Sequence, residues 1–101
     1  FPRVLGHYVR ERKVTSLAEM IRKITSMPAS VYGLKTKGLL WEGMDADICI
    51  FDADKIIDKA TFTACNQRAE GLNYVILGGE IVVKDAVYQG GKPGRFLPRE
   101  R

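Results

Sequence analysis

Two runs rich in β-branched and aromatic residues, Tyr74-Val75-Ile76-Leu77 and Ile81-Val82-Val83, lie on either side of Gly78-Gly79, and no other feature limits the fold as much. Branching at Cβ favours extended backbone, and two consecutive glycines supply the positive φ angles that a two-residue type I′ loop demands. The spacing predicts an antiparallel hairpin with Leu77 opposite Glu80, Ile76 opposite Ile81, Val75 opposite Val82 and Tyr74 opposite Val83. A hairpin alone is marginal in water, so further elements must cover it.

A strand-like period runs from Lys37. Leu39-Leu40-Trp41 precedes a Glu42-Gly43 turn, and Asp45-Ala46-Asp47 leads into Ile48-Cys49-Ile50-Phe51. Ala46, Ile48 and Ile50 fall on one side of that strand and Cys49 and Phe51 on the other, so both faces want cover. Residues 53–72 form a weakly patterned connection in which Thr61-Phe62-Thr63 is the candidate for short structure, and Gly90 to Arg101, with Pro93, Gly94 and Pro98, reads as an extended tail.

The first third is helical by period. Val4, Leu5, Tyr8 and Val9 recur at helical spacing, with Arg10, Arg12 and Lys13 in the last turn, which predicts a helix over roughly residues 2–12. Ser16 and Glu19 form a capping box, in which each side chain would satisfy a free backbone donor. The second helix carries Leu17, Met20, Ile21, Ile24 and Met27 in one stripe, and Pro28 ends it. Pro28 can open a helical turn over residues 29–32 that Gly33 closes as a left-handed cap.

At 101 residues the chain has the length of one small domain, and its 46% apolar and 28% charged content is that of a globular protein. A domain of this size removes only about 60–65% of its unfolded surface from water, which disfavours a large self-contained catalytic core. The net charge of +4 is spread from Arg3 to Arg101, weak support for nucleic acid. Cys49 and Cys65 cannot make a disulfide framework, no secretory leader pattern opens the chain, and no apolar run approaches the roughly 20 residues of a membrane span. A soluble protein in a reducing, cytoplasmic setting is expected. The first residue is Phe1 and the opening already reads as helix, so the natural start is expected upstream and the chain is taken as a fragment.

Few residues point to chemistry. His7 is the one histidine and has no nucleophile near it in sequence; its ordinary role is surface or packing. His7, Cys49, Cys65 and a carboxylate could in principle hold a metal, but no CxxC or HxxxH spacing preorganises them. Gly90-Gly91-Lys92-Pro93-Gly94-Arg95 lacks the Ser or Thr and the helix of a phosphate loop. Asp45, Asp47, Asp52 and Asp54 do not follow the order of a calcium loop and suit turns and caps better. Trp41 and the tyrosines are too scattered to form a stacking platform.

The segment Gly38 to Asp52 resembles the G-x-(I/L)-x-x-G-x-x-A-D-(L/I)-x-(V/I)-x-D signature that metal-dependent amidohydrolases carry near the C-terminus, where a strand rejoins a small β-sandwich after the (β/α)8 barrel. The hairpin from Tyr74 to Val83 resembles a pairing in the same sandwich. Phe1 to Arg10 and the closing run Gly90 to Leu97, with Pro93-Gly94-Arg95, are similar to the D-aminoacylase (N-acyl-D-amino-acid deacylase) branch, so the resemblance covers essentially the whole chain. Gly78 stands where the family often has Asn, and both accept a left-handed turn.

The resemblance implies an α+β fragment: residues 1–33 as the last helices of the barrel, followed by antiparallel strands in residues 34–101, the C-terminal part of a composite sandwich. It implies a parent enzyme that uses zinc to activate water for attack on the amide carbonyl of an N-acyl-D-amino acid, with an Asp moving the proton. The family's metal ligands, that Asp and its substrate-carboxylate arginine all correspond to positions before Phe1. No catalytic, substrate-binding or metal residue is therefore assigned here: Cys49 and His7 do not inherit ligand roles and Arg3 does not inherit the arginine's. Zinc is expected in the parent and none in the fragment. The partners expected are the upstream barrel and sandwich strands of the same polypeptide and a small-molecule substrate, with no nucleic acid and no membrane. The competing readings are a cyclic-amide amidohydrolase of dihydropyrimidinase or dihydroorotase type, an autonomous basic binding module, and a self-associating β-module.

Overall fold

A computed structural model of the chain describes residues 1–99. Three helical segments are followed by a four-stranded antiparallel meander in the order β1-β2-β3-β4. The first helix, Val4–Glu11, is a π-helix: the Arg12 N–H reaches five residues back to the His7 carbonyl at 2.9 Å. Eight residues are too few for apolar spacing to separate this wider coil from the α-helix that the sequence suggests. It stops at Lys13, which takes a φ of 52°.

Helix α1, Leu17–Ile24, begins as expected at Ser16, whose hydroxyl accepts the Glu19 N–H at 3.2 Å. The reciprocal half of the capping box is not made. The Glu19 carboxylate turns instead to Arg22, with contacts of 2.7 and 2.9 Å, because an arginine one turn on offers it two charged donors. The stripe does not run on to Pro28 either. The helix breaks at Thr25 (φ −125°, ψ −85°), and Pro28 sits inside α2, Ser26–Tyr32. Proline has no N–H for the Ile24 carbonyl and its ring crowds that oxygen, so the interruption falls one turn before it. Gly33 caps α2 at φ 72°, and the Leu34 N–H returns to the Ala29 carbonyl at 2.8 Å.

Leu39-Leu40-Trp41 is not a strand. Gly38 and Gly43, at φ 90° and 87°, bend the chain on both sides, and Leu40 and Trp41 are 76% and 74% exposed. Extended pairing starts at β1, Ile48–Phe51, which runs against β2, Leu72–Leu77, with Ile48 opposite Ile76 and Cys49 opposite Val75. Gly78 and Gly79, at φ 59° and 82°, close the hairpin to β3, Glu80–Lys84.

The pairs Leu77–Glu80 and Ile76–Ile81 stand, but Val75 faces Val83 and Tyr74 faces Lys84. The predicted Val75–Val82 and Tyr74–Val83 pairs are overturned by a bulge at Val82. The Val82 carbonyl accepts the Gln89 N–H at 2.8 Å, tying it to the far side of the strand. There β4, Val87–Tyr88, adds a second hairpin through Asp85 and Ala86 at φ 50° and 64°. Aspartate tolerates that conformation, whereas alanine gives no warning of it in the sequence.

Residues 53–71 stay irregular apart from one bridge, Ile57 to Glu70; Thr61 to Ala64 is a turn and Phe62 lies wholly in solvent. Among the described residues the buried apolar side chains are Leu5, Ala29 and Ile56. Ile56 lies at the joint between the two halves of the chain. Its backbone abuts Gly6 of the π-helix and Gly71 before β2, and the Arg10 guanidinium donates to the Ile56 and Ala53 carbonyls at 2.8 and 3.1 Å.

Candidate functional site

The densest polar constellation is centred on Lys37. Its ammonium pairs with Asp45 Oδ2 at 2.9 Å and with Asp47 Oδ2, and the side chain is 16% exposed. Asp45 also accepts the Thr36 hydroxyl at 2.7 Å. Asp47 accepts the Gly78 N–H through Oδ1 at 2.8 Å, and the Gly79 N–H reaches the Ala46 carbonyl at 3.0 Å. The loop from α2 to β1 is thereby fastened to the tip of the β2–β3 hairpin. A tight γ-turn brings the two carboxylates to one cation: the Asp47 N–H returns to the Asp45 carbonyl at 2.9 Å, across Ala46.

The electrostatics suit a clasp and not a proton shuttle. Hydrogen bonds from Thr36 and then Lys37 hold the Asp45 carboxyl below its ordinary value, and the Lys37 hydrogen bond does the same to Asp47. Hydrogen bonds to Asp47 and Asp45 raise the Lys37 ammonium. Each group is pushed away from neutrality, whereas a general acid or base works best with a pKa near the operating pH. Two shallow cavities of about 160 and 190 Å³ border the cluster, with Arg95 and Leu97 of the tail on their other side.

The remaining candidates are not brought together. The His7 ring nitrogen Nδ1 lies 3.0 Å from Glu11 on the π-helix and its ring meets Tyr8 edge-on. Cys49 and Cys65 are free and exposed, and partial desolvation raises the Cys49 thiol, which leaves it a poorer nucleophile and ligand. Asp52 Oδ1 accepts the Asp54 N–H at 2.9 Å, a local turn. Among the described residues no group of three or more His, Cys, Asp or Glu side chains is placed to hold a metal ion. The sequence suggests turn and cap roles for Asp45 and Asp47 and carries no signal for Lys37, whose partners lie eight and ten residues away around a loop closed by two bent glycines.

The profile of the amidohydrolase family matches residues 2–83. The chain belongs to that family. The N-acyl-D-glutamate deacylase of Alcaligenes xylosoxydans xylosoxydans is 40% identical over 100 residues, covering 99% of this chain and 20% of the relative. A dihydroorotase of Lactobacillus gasseri is 30% identical over 99 residues, covering 90% of this chain and 23% of the relative. The crystal structure of a D-aminoacylase superposes with a TM-score of 0.92 at 37% identity, over 97% of this chain and 21% of that one. The N-acyl-D-glutamate deacylase of Bordetella bronchiseptica, solved with zinc and a phosphonate mimic of the tetrahedral intermediate, superposes at 0.79 with 36% identity, over 80% of this chain and 17% of that one.

This amidohydrolase chain thus spans about a fifth of the length of its relatives, and its helices and four-stranded antiparallel sheet match the corresponding part of D-aminoacylase. The zinc of the Bordetella enzyme finds no matching donor set among the described residues: His7 is turned to Glu11, the two thiols are scattered, and the carboxylates of the cluster are both paired with Lys37.

Proposed function

We propose that this chain is the C-terminal segment of a zinc-dependent amidohydrolase that cleaves N-acyl-D-amino acids to a D-amino acid and a carboxylate, and that the segment itself is structural. The likeness to D-aminoacylase along nearly the whole chain carries the reading. Residues 1–33 then close the wall of a catalytic barrel and residues 34–101 supply the C-terminal strands of a composite sandwich, with upstream parts of the same polypeptide as their partners. The sparse core supports this, since among the described residues the buried apolar side chains are Leu5, Ala29 and Ile56, while Val31, Leu40, Trp41 and Phe62 lie open. Metal and substrate contacts belong to upstream residues. The free thiols of Cys49 and Cys65 support a cytoplasmic setting, and no helix among the described residues is long and apolar enough to cross a membrane. An autonomous basic module is the weaker reading, because Arg10, Arg22 and Lys37 are engaged by carbonyls and carboxylates within the chain.

The test compares the complete polypeptide with this segment alone on N-acetyl-D- and N-acetyl-L-amino acids, after chelation and after zinc is restored. Turnover of the D substrates by the complete chain only, dependent on zinc, is expected. Opening of cyclic amides with no deacylation would replace the D-aminoacylase reading by one of dihydroorotase type. Activity of the segment alone, or loss of zinc from a His7→Ala or Cys49→Ser enzyme, would overturn its noncatalytic role.

A further inference from the structure

Among the described residues the closest backbone approaches run within each half: α1 lies beside α2 and the π-helix, and each strand beside its sheet neighbours. The two halves are held through connecting segments. One joint is the Gly6–Ile56–Arg10 contact; the other is the Lys37 cluster. The C-terminal arm reaches that second joint. After β4 it turns at Gly90 (φ 86°), and Gly91 passes close to the Glu80 carboxylate. Gly94 then crosses the Leu77 side chain at a spacing where even a Cβ would be in ordinary contact, 3.6 Å from Cδ2. Arg95 lies near enough to Asp45 to lower its carboxyl pKa. Arg95 and Leu97 line one cavity with Leu34, Thr36 and Lys37, which lead out of the helical half, and a second with Lys37, Gly94 and the hairpin-tip residues Leu77 and Gly78.

We propose that residues 90–97 act as a strap laid across the Lys37 cluster, fastening the helical half to the hairpin tip and releasing it as a unit. The composition suits such a device. Pro93 limits the freedom that the arm loses on docking. Arg95 adds a second cation to the cavities that Asp45 and Lys37 line, and Leu97 adds an apolar side chain to the same walls. The arm makes few backbone bonds of its own, so it belongs to the low-stability end of the fold, where local opening precedes global unfolding. The proposal concerns the conformation of this chain and does not rest on the enzymatic reading.

Amide hydrogen exchange of the complete chain tests it. The reporters are the Asp45 N–H, bonded to the Thr36 carbonyl at 2.9 Å, and the Gly78 and Gly79 N–H groups held by Asp47 and Ala46. Arg95→Ala and Leu97→Ser should each speed exchange at these three amides, by about tenfold when combined, while Val75 and Ile76 in β2 keep their rates. Arg99→Ala, beyond the cavity-lining residues, should change none of them. Unchanged exchange at the three reporters in the double variant would overturn the proposal. So would equal acceleration throughout β2 and β3, which would make the arm a support of the whole sheet and not a strap on one joint.

Discussion

Asp47 and Gly78 lie 31 residues apart, and Asp47 Oδ1 accepts the Gly78 N–H at 2.8 Å while Oδ2 pairs with Lys37. One carboxylate therefore serves two segments with separate oxygens, and substitutions can separate the two functions. Asp47→Asn keeps an oxygen for the Gly78 amide but loses the ion pair; Asp47→Ala loses both. A partly exposed pair contributes up to about 1 kcal/mol and a neutral hydrogen bond a further 1 kcal/mol or so, so Asp47→Ala should cost roughly twice as much as Asp47→Asn in urea denaturation. Equal losses would mean that the bond to the hairpin tip contributes nothing.

The same cluster sets a pH signature. Asp45 and Asp47 are held below their ordinary carboxyl values, so their contribution is complete above about pH 4 and disappears as pH falls through the depressed folded values. Lys37 is raised, so its contribution is complete below about pH 10.4 and is lost as pH climbs through the raised value. The difference in urea midpoint between the natural chain and Lys37→Met should stay level between about pH 5 and 9 and shrink on both flanks. A difference that changes steadily across the neutral range would point to another titrating group.

How much of this was legible beforehand follows from the range of each interaction. The Ser16 cap, the Gly33 cap and the Gly78-Gly79 loop are written within a few residues, and all three are present. The Val82 bulge depends on a strand that begins five residues later, through a turn whose Ala86 carries no signal, so the spacing points to a different outer register. Leu39 to Trp41 has the composition of a strand but lies between bent glycines, and no strand among the described residues pairs with it. The likeness of Gly38 to Asp52 to the amidohydrolase signature was readable as a motif. The Lys37 cluster, which the same segment helps to build, needed the loop to be closed in space.

At the hairpin loop, steric and backbone effects can be separated. A Cβ at Gly79 would meet nothing within 4 Å, yet φ is 82°. Gly79→Val should therefore lose about 1 kcal/mol or more from backbone conformation alone, and Gly79→Asn distinctly less, because asparagine tolerates the left-handed region. Urea midpoints in the order Gly, Asn, Val check this. Val matching Asn would show that the loop can take another form.

Gly6 presents the opposite case, and the sign of its effect is the test. It lies inside the π-helix with an unstrained φ, so helix propensity alone would make Gly6→Ala stabilising by roughly 0.5–1 kcal/mol. The added Cβ, however, would run into the Ile56 carbonyl and lie 2.6 Å from Ile57 Cδ1. The obstructing oxygen is backbone, and it already accepts the Arg10 guanidinium at 2.8 Å, so it cannot swing aside as a flexible side chain would. Overpacking at such a contact costs about 1–3 kcal/mol, which exceeds the propensity gain. Gly6→Ala should lower stability and weaken protection of the Ile57 N–H, which is bonded to the Glu70 carbonyl at 3.1 Å. A more stable Gly6→Ala chain would show that the π-helix and the Ile56 segment are not held against each other at this joint.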